Sequence, residues 1–173
     1  YGFSLDIVKT PGYIFGALTP FFFRKGYTRD YPNIIFYPKY GERSPSYRIR
    51  FLAYKNILEN NFLKVGTSEL FDDNFYIKRI LKNNTNFFII INSYIKRILD
   101  LSFRKKPFLA IFHIEPLPLI PFIAEFILKI RNIPFLIDID DAVYFRFKNK
   151  NNFFNLYYEF LFKKMISQSN GVL

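Results

Sequence analysis

Residues 107–142 read Pro-Phe-Leu-Ala-Ile-Phe-His-Ile-Glu-Pro-Leu-Pro-Leu-Ile-Pro-Phe-Ile-Ala-Glu-Phe-Ile-Leu-Lys-Ile-Arg-Asn-Ile-Pro-Phe-Leu-Ile-Asp-Ile-Asp-Asp-Ala. Two short apolar runs, Phe108–Ile114 and Phe135–Ile139, flank a longer apolar segment, Pro118–Arg131. Short runs bounded by prolines fit buried strands. The segment between them fits a helix whose prolines sit in its first turn, where a missing N–H costs little. The stretch is long enough to cross a bilayer, which takes about 20 residues. His113, Glu115, Glu125, Lys129 and four prolines oppose that reading, since a central charge costs roughly 2.5–3.5 kcal/mol on insertion. Strand, helix, strand is a βαβ unit and calls for a parallel sheet with right-handed crossovers.

The same alternation extends toward the N-terminus. Asn33–Tyr37 is an apolar run between Pro32 and Pro38 and predicts a strand. Ser46–Asn60 predicts a helix with Ser46 as N-cap and Ile49, Leu52, Ala53 and Ile57 on its buried face. Phe62–Thr67 fits a second strand. Asp73–Lys82 and Asn86–Phe103 fit helices, the first capped by Asp72 or Asp73. On the C-terminal side, Asn152–Ser167 is a strongly aromatic helix, and Asn170–Leu173 opens a fifth strand. The fold class is therefore α/β: a Rossmann-like parallel sheet with helices on both faces, spanning residues 32–173. Residues 1–31, broken by Pro11, Gly12, Gly16 and Pro20, form an extension without sustained periodicity. Tyr1 stands where a start methionine would, and the last strand is cut short, so the chain is expected to be the first lobe of something longer.

Of 173 residues, 50% are hydrophobic and 21% aromatic. That excludes a disordered chain, which lacks the apolar surface to offset ordering entropy. Cysteine is absent, which excludes disulfide scaffolds, thiolate metal sites and thiol catalysis. The formal charge is +11, which points to an anionic partner or to solvated basic faces. The cations are scattered without finger spacing or an RRM signature, so nucleic acid is not the expected partner. The aromatic helix, flanked by Lys148, Lys150, Lys163 and Lys164, reads as a core helix, with peripheral contact to an anionic membrane as the alternative. The expected location is cytoplasmic, with that contact at the inner face of the membrane.

Ligands of open parallel sheets bind beyond the carboxyl ends of the strands. Three segments fall there: 38–48, 113–116 and 138–141. Asp138 and Asp140 share a strand face, and Asp141 follows. Acids ending an apolar strand need water, a cation or donors. Together they point to a site; singly, Asp138 paired with an arginine and Asp140 or Asp141 as a turn cap would explain them. Gly41 permits close backbone approach to a ligand, or is an ordinary turn residue. Arg48 is placed to bind a carboxylate or phosphate, whereas Arg50 reads as solvated. His113, the sole histidine, has no second histidine for a metal site, and Glu115 is placed to orient it or a bound hydroxyl. No glycine-rich phosphate fingerprint is present.

These segments resemble the N-terminal lobe of GT-B glycosyltransferases of the family-4 type over Tyr31–Leu173. The matching pieces are Gly41 through Ser46-Tyr47-Arg48-Ile49-Arg50, Glu115-Pro116-Leu117-Pro118, Pro134 to Ala142, and Ser169-Asn170-Gly171-Val172-Leu173. The resemblance implies transfer of a sugar from a nucleotide-sugar donor to a glycan or lipid-linked acceptor, as in cell-surface polysaccharide synthesis. It places the acceptor on this lobe and the donor on a C-terminal lobe. It makes Asp140 the candidate base, though many relatives carry His there. Gly41, Ser46, Tyr47, Arg48, His113, Glu115, Asp138 and Asp141 become candidate acceptor contacts. It implies no cofactor and no metal. Three rivals compete. A haloacid-dehalogenase-like phosphatase would use Asp138 as nucleophile, Asp140 as acid and Mg²⁺; a GT-A-type transferase would use the acids as metal ligands; a non-catalytic interaction domain would use neither.

Overall fold

The computed structural model describes residues 34–60, 64–82, 86–118, 120, 122–139 and 153–173; the predicted extension 1–31 lies outside them. Ile34-Ile-Phe-Tyr37 has apolar side chains on both faces, and both faces are covered: it forms β1 (Ile34–Tyr37), buried throughout. The chain then runs through α1 (Pro45–Tyr47), a π-helical turn (Arg48–Leu52) and α2 (Ala53–Asn60) to β2 (Val65–Thr67). Next come α3 (Asp73–Lys82), α4 (Phe87–Phe103), β3 (Leu109–His113), α5 (Ile123–Ile130), β4 (Phe135–Asp138) and α6 (Phe153–Gln168). All strand pairs are parallel, in the order β2-β1-β3-β4. The fold is thus the predicted Rossmann-like α/β arrangement.

The path leaves β1 toward β2, then crosses β1 to reach β3 and continues to β4. Right-handed crossovers in opposite directions put their helices on opposite faces. The alternation of strand side chains matches. Ile35, Tyr37, Ala110, Phe112, Phe135 and Ile137 share one core with Leu101 of α4, Leu128 of α5 and Met165 of α6. Ile34, Phe36, Leu109, Ile111 and Leu136 share the other with Tyr47, Phe51 and Leu58. Beyond β4 the chain end is also paired: Val172 bridges Ile137 in parallel, the Leu173 amide donates to the Ile137 carbonyl at 2.9 Å, and the Asn170 amide to Phe135 at 2.9 Å.

Several predicted boundaries shift for identifiable reasons. The first helix begins at Pro45, with Ser44 at the cap position, so Ser46 lies inside the helix rather than capping it. Its buried residues are Tyr47, Phe51 and Leu58, while Ile49 is 71% exposed. Large rings win the inward face, with Phe51 edge-on to Phe36 at 4.8 Å. Asp72, not Asp73, caps α3, accepting from the Phe75 amide at 2.7 Å. Asn86 caps α4, accepting from the Phe88 amide at 3.0 Å. The helix expected from Pro118 starts only at Ile123, because Phe122 takes a left-handed φ of 72°. Among the described residues, no helix is long and apolar enough to cross a membrane.

Candidate functional site

Connections part company at the carboxyl ends of β1 and β3, which is where a parallel sheet opens a crevice. The loop after β1 stands on one side and residues 114–116 on the other. Between β3 and β4 the register sets His113 beside Asp138. Both follow Ile111 and Leu136 in the alternation, so both face the side covered by the π-helical turn. That turn supplies two partners. Arg50 donates to the Asp138 carboxylate at 2.5 Å, and Phe51 stands edge-on to the His113 ring at 6.0 Å. Asp138 is thus held by an arginine, and the arginine is Arg50, whose sequence position had suggested a solvated side chain. His113 and Asp138 are 6% and 8% exposed.

Strand β3 ends one residue earlier than expected because Ile114 adopts φ 67°. Its neighbours close a three-residue turn: the Glu115 amide donates to the His113 carbonyl at 3.0 Å. A β-branched residue in the left-handed region is strained, and such strain gathers at functional positions. The turn also sends Glu115 away from the His113 face. Glu115 lines a small cavity with Leu117, Glu125, Phe162 and Met165 on the opposite side of the sheet. Burial, then the Glu115 charge, pushes the Tyr94 hydroxyl up to about 12 and the Tyr158 hydroxyl upward. Glu125 itself is buried, which raises its pKa, while the amides of Phe122 and of Glu125 itself bond it and act against that rise. An N3 glutamate reaching back to its N-cap amide is half of a capping box. Its Oε2 is buried with no hydrogen-bond partner.

The loop after β1 is tied down by its neighbours. A Cβ on Gly41 would lie 2.7 Å from Asp73 Oδ1, so a side chain there would displace the Asp73 carboxylate. The same carboxylate accepts from the Arg43 amide at 3.0 Å. Ser44 and Ser46 share a hydroxyl–hydroxyl bond of 2.7 Å. Arg48 is exposed and donates to the carbonyls of Glu42 and Arg43 at 3.3 and 3.1 Å. Tyr47 is 5% exposed and packs against Phe51; it belongs to the core rather than to the rim, because the helix starts one residue earlier than Ser46.

Sequence reasoning missed Arg97. It lies wholly buried on the inner face of α4 and donates to the carbonyls of Pro38 and Ser68 at 3.3 and 2.9 Å, tying the loops after β1 and β2 together. Its guanidinium sits 4.8 Å from the centre of the Tyr37 ring. Burial lowers its pKa to about 10, against the opposing pull of Tyr37 and Asp100. The Tyr37 hydroxyl is pushed upward by burial and by Asp100, to which it hydrogen-bonds. The signal was available: Ile90, Tyr94, Arg97, Ile98 and Leu101 share one helical face, and a charged residue within such a stripe implies a buried role.

The structure therefore gathers His113, Asp138, Arg50 and the Gly41 loop near the carboxyl edge of β1, β3 and β4, and turns Glu115 to the far face. Asp140 and Asp141 lie outside the described residues. Among the described residues, no group of three or more His, Asp or Glu side chains is placed to hold a metal ion. No protein-family model, curated protein or solved structure matches the chain.

Proposed function

We propose that this chain is the acceptor-side lobe of a GT-B glycosyltransferase, with the acceptor in the crevice between the β1 and β3 loops. The observation that carries the reading is the convergence of His113, Asp138 and Arg50 at the carboxyl edge, beside the strained Ile114. An imidazole and an arginine-held carboxylate offer the donors and acceptors that a sugar hydroxyl needs, next to the apolar Phe51 ring. Asp140 follows this pair in sequence, and a carboxylate there is suited to take a proton from an acceptor hydroxyl. The sugar donor and its nucleotide belong to a second lobe, since catalysis requires both reactants held in one geometry.

His113 is the sole histidine of the chain, so its ring protons report on the site without assignment. Titration with pyranoside oligosaccharides is expected to shift those signals, and uridine diphosphate alone is not. Hydrolysis of p-nitrophenyl phosphate with Mg²⁺ would favour the phosphatase reading. Tight binding of uridine diphosphate, or imidazole signals indifferent to every glycoside, would overturn the proposal.

A further inference from the structure

Helix α4 is apolar on two faces. Ile90, Tyr94, Ile98 and Leu101 pack inward. On the opposite side Phe88, Ile95, Leu99 and Phe103 form a second stripe at seven-, eleven- and fifteen-residue offsets, all on one helical face; Phe88 and Phe103 are 79% and 80% exposed. Helix α5 packs beside α4 on the same face of the sheet and adds Phe126 and Ile130, each 63% exposed. Among the described residues nothing covers this surface. Contiguous exposed apolar area of this kind marks an interaction face rather than ordinary surface.

Charge decides what the partner is. Each of the two helices carries a single acid, and neither faces outward freely. Asp100 is half-buried and paired with Arg104 at 2.5 Å, and Glu125 is buried. Lys96 and Lys129 are exposed beside the apolar residues, with Lys105 and Lys106 just past the end of α4, in a chain of formal charge +11. We infer that the outer face of α4 and α5 lies on an anionic lipid surface. Its phenylalanines and aliphatic side chains enter the interface, and its lysines meet the headgroups. The sequence offered the aromatic α6 for this role; that helix turns Phe162 and Met165 inward, and its outer side sets Leu156 and Phe160 beside an exposed acid, Glu159. The inference is independent of the chemistry of the site.

The test is co-sedimentation of the full chain with vesicles of equimolar phosphatidylglycerol and phosphatidylcholine, against vesicles of phosphatidylcholine alone. Binding is expected to the first and not to the second. Lys96→Glu with Lys129→Glu should weaken it at least about tenfold. Ile95→Asn with Leu99→Asn should weaken it by a similar factor. Ile49→Asn, on the other face of the sheet, should leave it unchanged. Thermal unfolding of each variant checks that the fold is kept, and the lysine pair, being exposed, keeps the test decisive if the aliphatic pair fails to fold. Equal binding to neutral vesicles, or binding indifferent to the lysine pair, overturns the inference. So does a concentration-dependent dimer dispersed by the Ile95 and Leu99 changes, which would make a second copy the occupant.

Discussion

Arg50 and Asp138 stand 88 positions apart in the chain, yet their side chains meet at 2.5 Å. The pair joins the π-helical turn to the end of β4, across the face that carries His113. Asp138 is mostly buried and Arg50 about one-quarter exposed, so the pair is neither a screened surface contact nor a fully desolvated one. Removing Arg50 leaves a poorly solvated carboxylate without its guanidinium. Arg50→Ala is expected to cost about 1–3 kcal/mol of stability. Asp138→Asn should recover part of that loss in the double variant, which denaturant unfolding of all four species would measure.

Gly41 and Asp73 form a second coupled pair. A methyl group at Gly41 would press on Asp73 Oδ1 and disturb its bond to the Arg43 amide. Gly41→Ala should destabilise by about 0.5–1.5 kcal/mol, the scale of the amide bond that the displaced carboxylate gives up. In an Asp73→Ala background the same change should cost much less. Equal costs in both backgrounds would mean that the glycine is needed for another reason, a bound ligand among them.

Arg97 should tolerate no replacement, lysine included. Lysine has no planar fork to serve two carbonyls while stacking on a ring. Arg97→Lys and Arg97→Met should each lower stability by about 2 kcal/mol or more, since the Ser68 carbonyl loses its guanidinium donor and the Pro38 carbonyl keeps only the Leu70 amide. Amide exchange in segments 38–44 and 68–72 should accelerate more than in β4.

Glu125 gives a pH dependence of definite sign. Burial favours its neutral form in the folded chain. Its favourable contribution is therefore complete below the ordinary carboxyl value of 4.5 and is lost as pH rises through the higher folded value. Glu125→Gln keeps a carbonyl for the Phe122 amide and cannot ionise. The variant should be more stable than the parent at pH 7, with the gap closing as pH falls toward 4.5. Melting temperatures across that range measure it, and a gap independent of pH would contradict the assignment.

Much of this architecture could be read from apolar runs and caps. Flanking prolines announce β1, β3 and β4, α3 has the predicted bounds, and α4 starts within one residue of the expected Asn86. What could not be read depends on backbone turns that hydropathy does not encode. The choice of Tyr47, Phe51 and Leu58 over Ile49 as the buried stripe is an exception, since both stripes have helical spacing and ring size decides between them. The left-handed Ile114 separates Glu115 from His113 although they are two residues apart. For the site, Asp138 at a strand end was legible. Its partner Arg50 was not, because a long-range ion pair leaves no local pattern.

The register of β1 has a consequence for how the chain acquires its fold. Ile34 lies beside Leu109, so this first described strand is only half enclosed by its early neighbour β2 and stays open until two further helices and β3 have been made. Parallel pairing over such separations is slow, because loop closure precedes the contacts that reward it. During synthesis Ile34-Ile-Phe-Tyr37 is therefore a sticky, unfinished edge until Leu109–Phe112 has been made. The three-residue β2, interrupted by Gly66, gives it little early cover. A variant that weakens β3 should show its effect first in yield and aggregation, before any change in the melting temperature of the molecules that do fold.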